Sequence, residues 1–243
     1  MSINYTSYVA QLSNLMAAQS STAQFTTMLP GCIDYAEQRI YRDLDFQATE
    51  VRDSSGELTA GARNFVLPTS IGTFVVVNGL NVITPSTQTN PDAGTRNELQ
   101  RVTRDYLDLV WGSATGSTVP QFYAVLGQPQ ASVGSLLVIV GPWPDLNYTV
   151  EVIGTVRPTP LSSTNPNTIL TQYLPDLFIA ASMIFASGYM RDFGAQSDNP
   201  AQAVSWEAQY EKLLASAAAE EMRKKGSGPG WTSLSTVAPT PNR

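Results

Sequence analysis

Histidine is missing altogether from this 243-residue sequence. Ser-His and Cys-His nucleophile pairs and His-ligated zinc are therefore excluded. Cysteine occurs once, at Cys32, so no internal disulfide can form. Lysine is almost as scarce, and all of it, Lys212, Lys224 and Lys225, falls in one short segment. Charged side chains make up 14% of the chain, well below the roughly 25% of an ordinary soluble domain. Much of the surface must then be uncharged or covered by a partner. The formal net charge of −6, with no basic patch, argues against affinity for nucleic acid or anionic lipid, because either would repel an acidic face. Long apolar runs are lacking too. The most apolar stretch, Leu177 to Met190, is broken by Ser182, Ser187 and Gly188 and is shorter than the ~18 residues of a membrane span. It reads as a buried helix. The opening "MSINYTSYVAQL" has neither the basic flank nor the apolar run of a secretory signal, so synthesis in the cytoplasm is expected.

Catalytic motifs are equally thin. There is no GxSxG elbow, and the glycine-rich stretches "GSATGS" and "GSGPG" lack the GK[ST] ending of a phosphate loop. Carboxylates remain. The pairs Asp43/Asp45 and Asp105/Asp108 could in principle serve a glycosidase or hold a hard cation. The first straddles the expected end of a helix, the second sits on a short turn, and neither has a third ligand nearby. Both read as solvated surface, and no catalytic residue, metal or cofactor is expected.

The hydrophobic pattern organises the chain. Tyr5, Val9, Leu12 and Leu15/Met16 recur at helical spacing and predict a first helix. In "TMLPGCIDYAEQRIYRDLDF" the pattern predicts a second helix opening at Pro30, with Ile33, Ala36, Ile40 and Leu44 as its buried line and Asp34, Glu37 and Arg42 off it. Asp34 and Glu37 would then favour the positive N-terminal end. Cys32, beside the stripe and without a base or cation to activate it, reads as a packed thiol.

Between Phe46 and Pro158 the period becomes strand-like. "TFVVVNGLNVIT" holds two β-branched runs around Asn78-Gly79 and predicts a hairpin. In "LNYTVEVIGTVRP", Tyr148, Val150 and Val152 alternate with Thr149, Glu151 and Ile153, as in a strand buried on one face. "SLLVIV" before it ends at Gly141-Pro142, whose proline stops the strand. An antiparallel sheet is expected, interrupted by a short helix at Thr103 to Gly112 and flanked by a loop from Pro85 to Gly94.

"RPTPLSSTNPNT", Arg157 to Thr168, is a proline-rich connection after which helical periodicity returns. A helix is expected from Pro175 to about Phe193, apolar nearly all round and so central to a bundle. Asn199-Pro200 with Gln202 predicts a capping box for a last helix, on which Trp206, Tyr210, Leu213 and Ala217 form the stripe. Glu220 with Lys224, and Glu221 with Lys225, stand at i, i+4 spacing, and Gly226 supplies a stop. Beyond it, Gly, Ser, Thr and Pro cannot build a core. Trp231, Leu234 and Val237 recur there every three residues and form a candidate partner-binding site, for an apolar groove on another protein.

The expected class is α+β: a helical bundle from N- and C-terminal helices, an inserted antiparallel β domain, and an extended C-terminal tail. The expected boundaries are 1–45 and 169–225 for the helices, 46–158 for the β domain, 159–168 for a linker and 226–243 for the tail.

The ordered set "LPGCIDYAEQRIYRDLDF", "VPQFYAVLG", "VGPWPDLNYTVEVIGTVRPTPLS", "YLPDLFIAASMIFASGYMRD" and "WEAQYEKLLASAAAEEMRKKG" resembles the head-to-tail adaptor proteins of short-tailed bacteriophages. The resemblance implies a structural virion protein of the tail or neck. Its copies would form a ring, commonly of twelve, between the portal protein and a tail nozzle or tail tube protein. DNA would pass through the lumen without specific binding, no membrane would be involved, and there would be no catalytic residues. The same resemblance favours portal, then an adjacent subunit, as acceptor for Trp231, Leu234 and Val237. Another tail subunit, a nozzle or fibre attachment, is the structural alternative. A carboxylate-dependent cell-wall hydrolase would need two acids facing across a cleft, about 5 to 9 Å apart.

Overall fold

The computed structural model describes residues 2–17, 22–127, 135–189 and 201–226. Contacts group the chain into two compact units, one from Met1–Gln47 with Pro160–Arg243 and one from Ala48–Thr159.

In the first unit, α1 (Tyr5–Leu15) opens on an Asn4 capping box whose side chain accepts from the Ser7 amide. Its buried line is Tyr8, Leu12 and Met16, flanked by half-buried Tyr5 and Val9, while Leu15 is exposed. Tyr8 does not stand out as a core residue in the sequence because it carries a hydroxyl. Buried, that hydroxyl donates to Ser182 Oγ at 2.8 Å, which offsets the cost of removing it from water. Helix α2 (Ala23–Asp43) begins seven residues before Pro30, which lies inside it. Thr22 provides the N-cap, and Phe25, Met28 and Leu29 bury enough apolar surface to carry the helix past the proline. Asp34 and Glu37 are accordingly mid-helix, not at its start.

The chain returns through α4 (Ile169–Tyr173), α5 (Pro175–Tyr189) and α6 (Ala201–Gly226). Helix α5 packs against α1, α2, α4 and α6, with Leu177, Phe178, Ala181 and Ala186 fully buried. Its near-continuous apolar surface follows from having neighbours on every side. Tyr8 stacks on Phe178 at 4.8 Å and Tyr35 meets Phe185 at 5.5 Å. On α6, Tyr210 and Ala217 are buried and Trp206 and Leu213 half-buried, as their spacing predicts. Lys224 pairs with Glu220 at 2.8 Å and Glu221 at 2.7 Å. Lys225 reaches Asp45 instead of the expected Glu221. The predicted cap at Asn199 and any continuation of α5 past Tyr189 lie outside the described residues.

The second unit is a pair of four-stranded sheets and a short helix, α3 (Arg104–Val110). One sheet runs in the order β1 (Glu50–Leu58), β8 (Tyr148–Arg157), β3 (Thr73–Thr84), β4 (Thr95–Glu98), antiparallel throughout. The other runs β2 (Asn64–Val66), β7 (Leu137–Gly141), β6 (Phe122–Leu126), β5 (Gln100–Arg101), where β5 pairs with β6 in parallel. Phe74, Leu80, Val150 and Val152 from the first sheet and Phe65, Tyr123, Val138 and Val140 from the second share one core. The opposite side of the second sheet, Ala124 and Ile139, is covered by Leu107 of α3.

The predicted hairpin at Asn78-Gly79 does not form. β3 is one strand of 12 residues that pairs with β8 along its length, and Asn78 is the extra residue of a bulge. A two-residue turn of the favoured type needs positive φ at both central residues, and neither Asn78 nor Gly79 has it. β8 offers this strand a long continuous partner, and bulges at Val75 and Asn78 keep that ladder running without a turn.

Candidate functional site

The carboxylate pairs do not assemble a reactive centre. Asp43 accepts from Tyr210 Oη at 2.7 Å and lies 3.7 Å from Arg39. Asp45 is held by Lys225, and Asp108 pairs with Arg63 at 3.0 Å and Arg104 at 3.1 Å. These acids fasten elements together. Among the described residues no three potential ligands come together for a metal, and no helix is long and apolar enough to cross a membrane. Cys32 is fully buried, and burial pushes its thiol up to about 12, which makes it unreactive at neutral pH.

Arg39 is the hub that joins α2 to α6. It ion-pairs with Glu207, accompanied by a 3.0 Å bond from its second nitrogen, and its guanidinium lies 4.2 Å over the Tyr210 ring. Burial, then the bond to Asp43, raises the Tyr210 hydroxyl above its usual range. "CIDYAEQRIYRDLDF" is thus a packing helix whose charges tie the N-terminal segment to the C-terminal one.

Two carboxylates that the alternation and helical spacing place outside are in fact buried. Glu151 on β8 is 1% exposed. It accepts from Asn81 at 2.9 Å and Arg96 at 3.1 Å, and Arg52 stands 3.5 Å away, so one side chain ties together all four strands of its sheet. Burial opposes its ionisation, but the bonds from Asn81 and Arg96 and the charges of both arginines outweigh it and lower its pKa. Glu37, 4% exposed, accepts the Leu161 amide at 2.9 Å where the chain re-enters the helical unit. Here burial prevails and, with the charge of Asp34, pushes the carboxyl up to about 7 against the Leu161 bond.

A carboxyl whose folded pKa lies above its unfolded value contributes stability that is complete below the unfolded value and lost as pH rises through the folded one. For Glu37 that window runs from 4.5 to about 7. Glu37→Gln keeps an acceptor for Leu161 and should remove this pH dependence, gaining about 3 kcal/mol over the parent above neutrality. Urea midpoints of both proteins at about pH 5 and about pH 8 check it. Parallel changes in the two proteins would contradict this role for Glu37.

What the structure leaves open is apolar surface. On α3, Leu109 is 86% exposed, beside exposed Tyr106 and Val110, while Trp111 stacks on Phe122 beneath them at 5.3 Å. Just before β3 and on its first half, Ile71, Val75 and Val76 are exposed. In the helical unit, Tyr173, Val204 and Met222 are exposed singly. Contiguous patches of this kind mark surfaces that meet other proteins. Sequence spacing does not reveal them, since "FVVV" and "YLDLV" look like core in a one-dimensional reading. Trp231, Leu234 and Val237 lie outside the described residues.

A family model described as SU10 adaptor protein matches residues 3–232, across both units. No curated protein matches the chain.

Proposed function

The chain belongs to the SU10 adaptor protein family, and from that premise we propose that its copies close into a ring, twelve by resemblance, seated between portal and tail. The protein is a structural, non-enzymatic head-to-tail adaptor located in the tail region of the virion. It interacts with portal and tail components. The finer reading is that portal protein binds one end of the ring and a tail nozzle or tail tube protein the other, after assembly in the host cytoplasm. The observation that carries it is the match from residue 3 to 232, which spans both units.

Exposed apolar surface on α3 and β3 supports lateral and axial contacts. A closed ring needs one heterologous interface repeated around an axis, so two different patches per copy are the minimum. The net charge of −6 suits a lumen through which DNA passes without specific binding, because a basic wall would hold it by counterion release. Trp231, Leu234 and Val237 are proposed as anchors on portal or on an adjacent subunit. Electron microscopy of portal rings mixed with the protein tests the placement. An added annular layer, coaxial with the portal and on one of its faces, is expected, and unaltered portal particles would contradict it.

A further inference from the structure

In an antiparallel ladder, alternate residues of a strand direct their N–H and C=O groups to opposite sides, and each such group needs a partner or water. β8 serves one side of β3 from Thr73 to Val82. On the other side β4 pairs only with Asn81 to Thr84. The Leu99 amide then donates to the Leu80 carbonyl at 2.8 Å, and the chain departs to the second sheet, where the Gln100 amide donates to Gln121. Among the described residues no strand pairs with that side of Thr73 to Gly79. A sheet edge is open there.

Edges of this kind are ordinarily guarded by charge, lysine or proline. Ile71 to Gly79, "IGTFVVVNG", has none of these. Bulges at Val75 and Asn78 are its protection, and they leave Val75 54% and Val76 48% exposed. At the Gly79 end lies a cavity of about 400 Å³, between Asn78-Gly79 of β3 and Glu98 to Arg101, with Tyr123 among its walls and the opposite charges of Glu98 and Arg101 at its lining. An uncharged edge that ends in a pocket suits an uncharged strand that ends in a large side chain.

We propose that the open edge of β3, Thr73 to Gly79, receives the segment Trp231 to Val237 of a second copy of this chain as an added antiparallel strand, with Trp231 in the cavity beside Gly79. The proposal rests on the reading that copies stand side by side in a ring. The segment "WTSLSTV" is as long as the edge, carries no charge and holds no proline, and Pro229 and Pro239 bound it where pairing must stop. Tryptophan, threonine and valine favour extended backbone. Antiparallel pairing sets Trp231 against Gly79, where no side chain of β3 competes for the space, and Val237 against Thr73. Every copy then has one donor segment and one acceptor edge, which is the heterologous contact that propagates around a ring.

Backbone amide exchange of the full chain, read as its concentration rises, tests this. Amides within Thr73 to Gly79 that face away from β8 should slow about tenfold or more. Trp231→Ala combined with Leu234→Asp should abolish that slowing while leaving the thermal melt unchanged. Protection that does not depend on concentration, or that survives the tail substitutions, would overturn the assignment. A second arm mixes this tail variant, whose edge is intact, with Val75→Lys, whose tail is intact; Asn78→Lys substitutes if Val75→Lys lowers the melt. Neither should self-associate, the mixture should form pairs by native mass, and a mixture that remains monomeric overturns the proposal. Portal capture in the same samples separates the two readings. Complete rings built on portal by the tail variant would contradict strand exchange alone, and no rings from the parent protein would contradict the ring itself.

Discussion

Ile40→Asp is expected to leave the helical unit unfolded, or nearly so, under conditions in which the parent is fully folded. Ile40 is fully buried on α2, within the cluster that includes Tyr8, Leu12, Phe178 and Tyr210. The nearest cations on that helix, Arg39 and Arg42, are engaged by Glu207 and by the Gln38 carbonyl. An aspartate there would be buried without a partner. The cost should be about 4 kcal/mol or more, a large part of the stability of any domain. Leu213→Asp, at a half-buried site on α6, can turn its carboxylate toward water and should cost about half as much. Far-UV circular dichroism melts of the two variants check both the size and the order. Melts that coincide with the parent's would mean that the N- and C-terminal helices do not share this core.

The β unit has a comparably sensitive point at Gly154. It lies in the middle of β8, opposite Val51 on one side and Val77 on the other. A Cβ at this position would overlap the carbonyl oxygen of Val76 and press on the Phe74 ring. The obstacle is backbone held by a ladder on a central strand, so it cannot move aside as a flexible side chain would. Gly154→Ala should therefore destabilise the unit by about 3 kcal/mol. Gly79→Ala is the informative partner, since nothing lies within 4 Å of a Cβ there and φ is not positive. It should be nearly neutral. In the hairpin that the Asn-Gly pair suggests, the same alanine would be forced into the left-handed region and cost about 1 kcal/mol or more. Urea unfolding followed by tryptophan fluorescence of both variants distinguishes the bulge from the turn, because only the bulge predicts a large effect at residue 154 with almost none at 79.

The helices were legible because each buries one stripe, and a stripe is a local pattern. Ile33, Ala36 and Ile40 on α2, and Tyr210 and Ala217 on α6, lie where their spacing puts them. The one-sided burial of Tyr148, Val150 and Val152 on β8 was legible for the same reason. What escaped depends on partners distant in sequence. Glu37 looks like a solvated residue until Leu161 is brought to it, and Glu151 until Asn81, Arg96 and Arg52 converge from three other strands. The Asn78-Gly79 turn signal is real locally, but β8 lies about 75 residues away and outweighs it, since a turn there would forfeit the ladder that β3 makes with β8 from Thr73 to Val82. Pro30 misled because proline is tolerated inside a helix whose preceding turns are buried, and the burial of Phe25, Met28 and Leu29 shows only in the fold. The adaptor assignment itself rested on ordered motifs, and the family match over both units bears it out. The exposed apolar patches were not legible, because an exposed valine and a buried one read alike in a sequence.

Native mass of the purified chain mixed with purified portal rings tests the ring most directly. A closed ring made by one repeated contact assembles cooperatively on a symmetric template. Bare portal and portal carrying a full complement, one adaptor for each portal subunit, should therefore dominate the spectrum at every mixing ratio, with few intermediates, while the chain alone remains monomeric or weakly associated. A ladder that stops at one adaptor per portal, or portal that never gains mass, would contradict the ring.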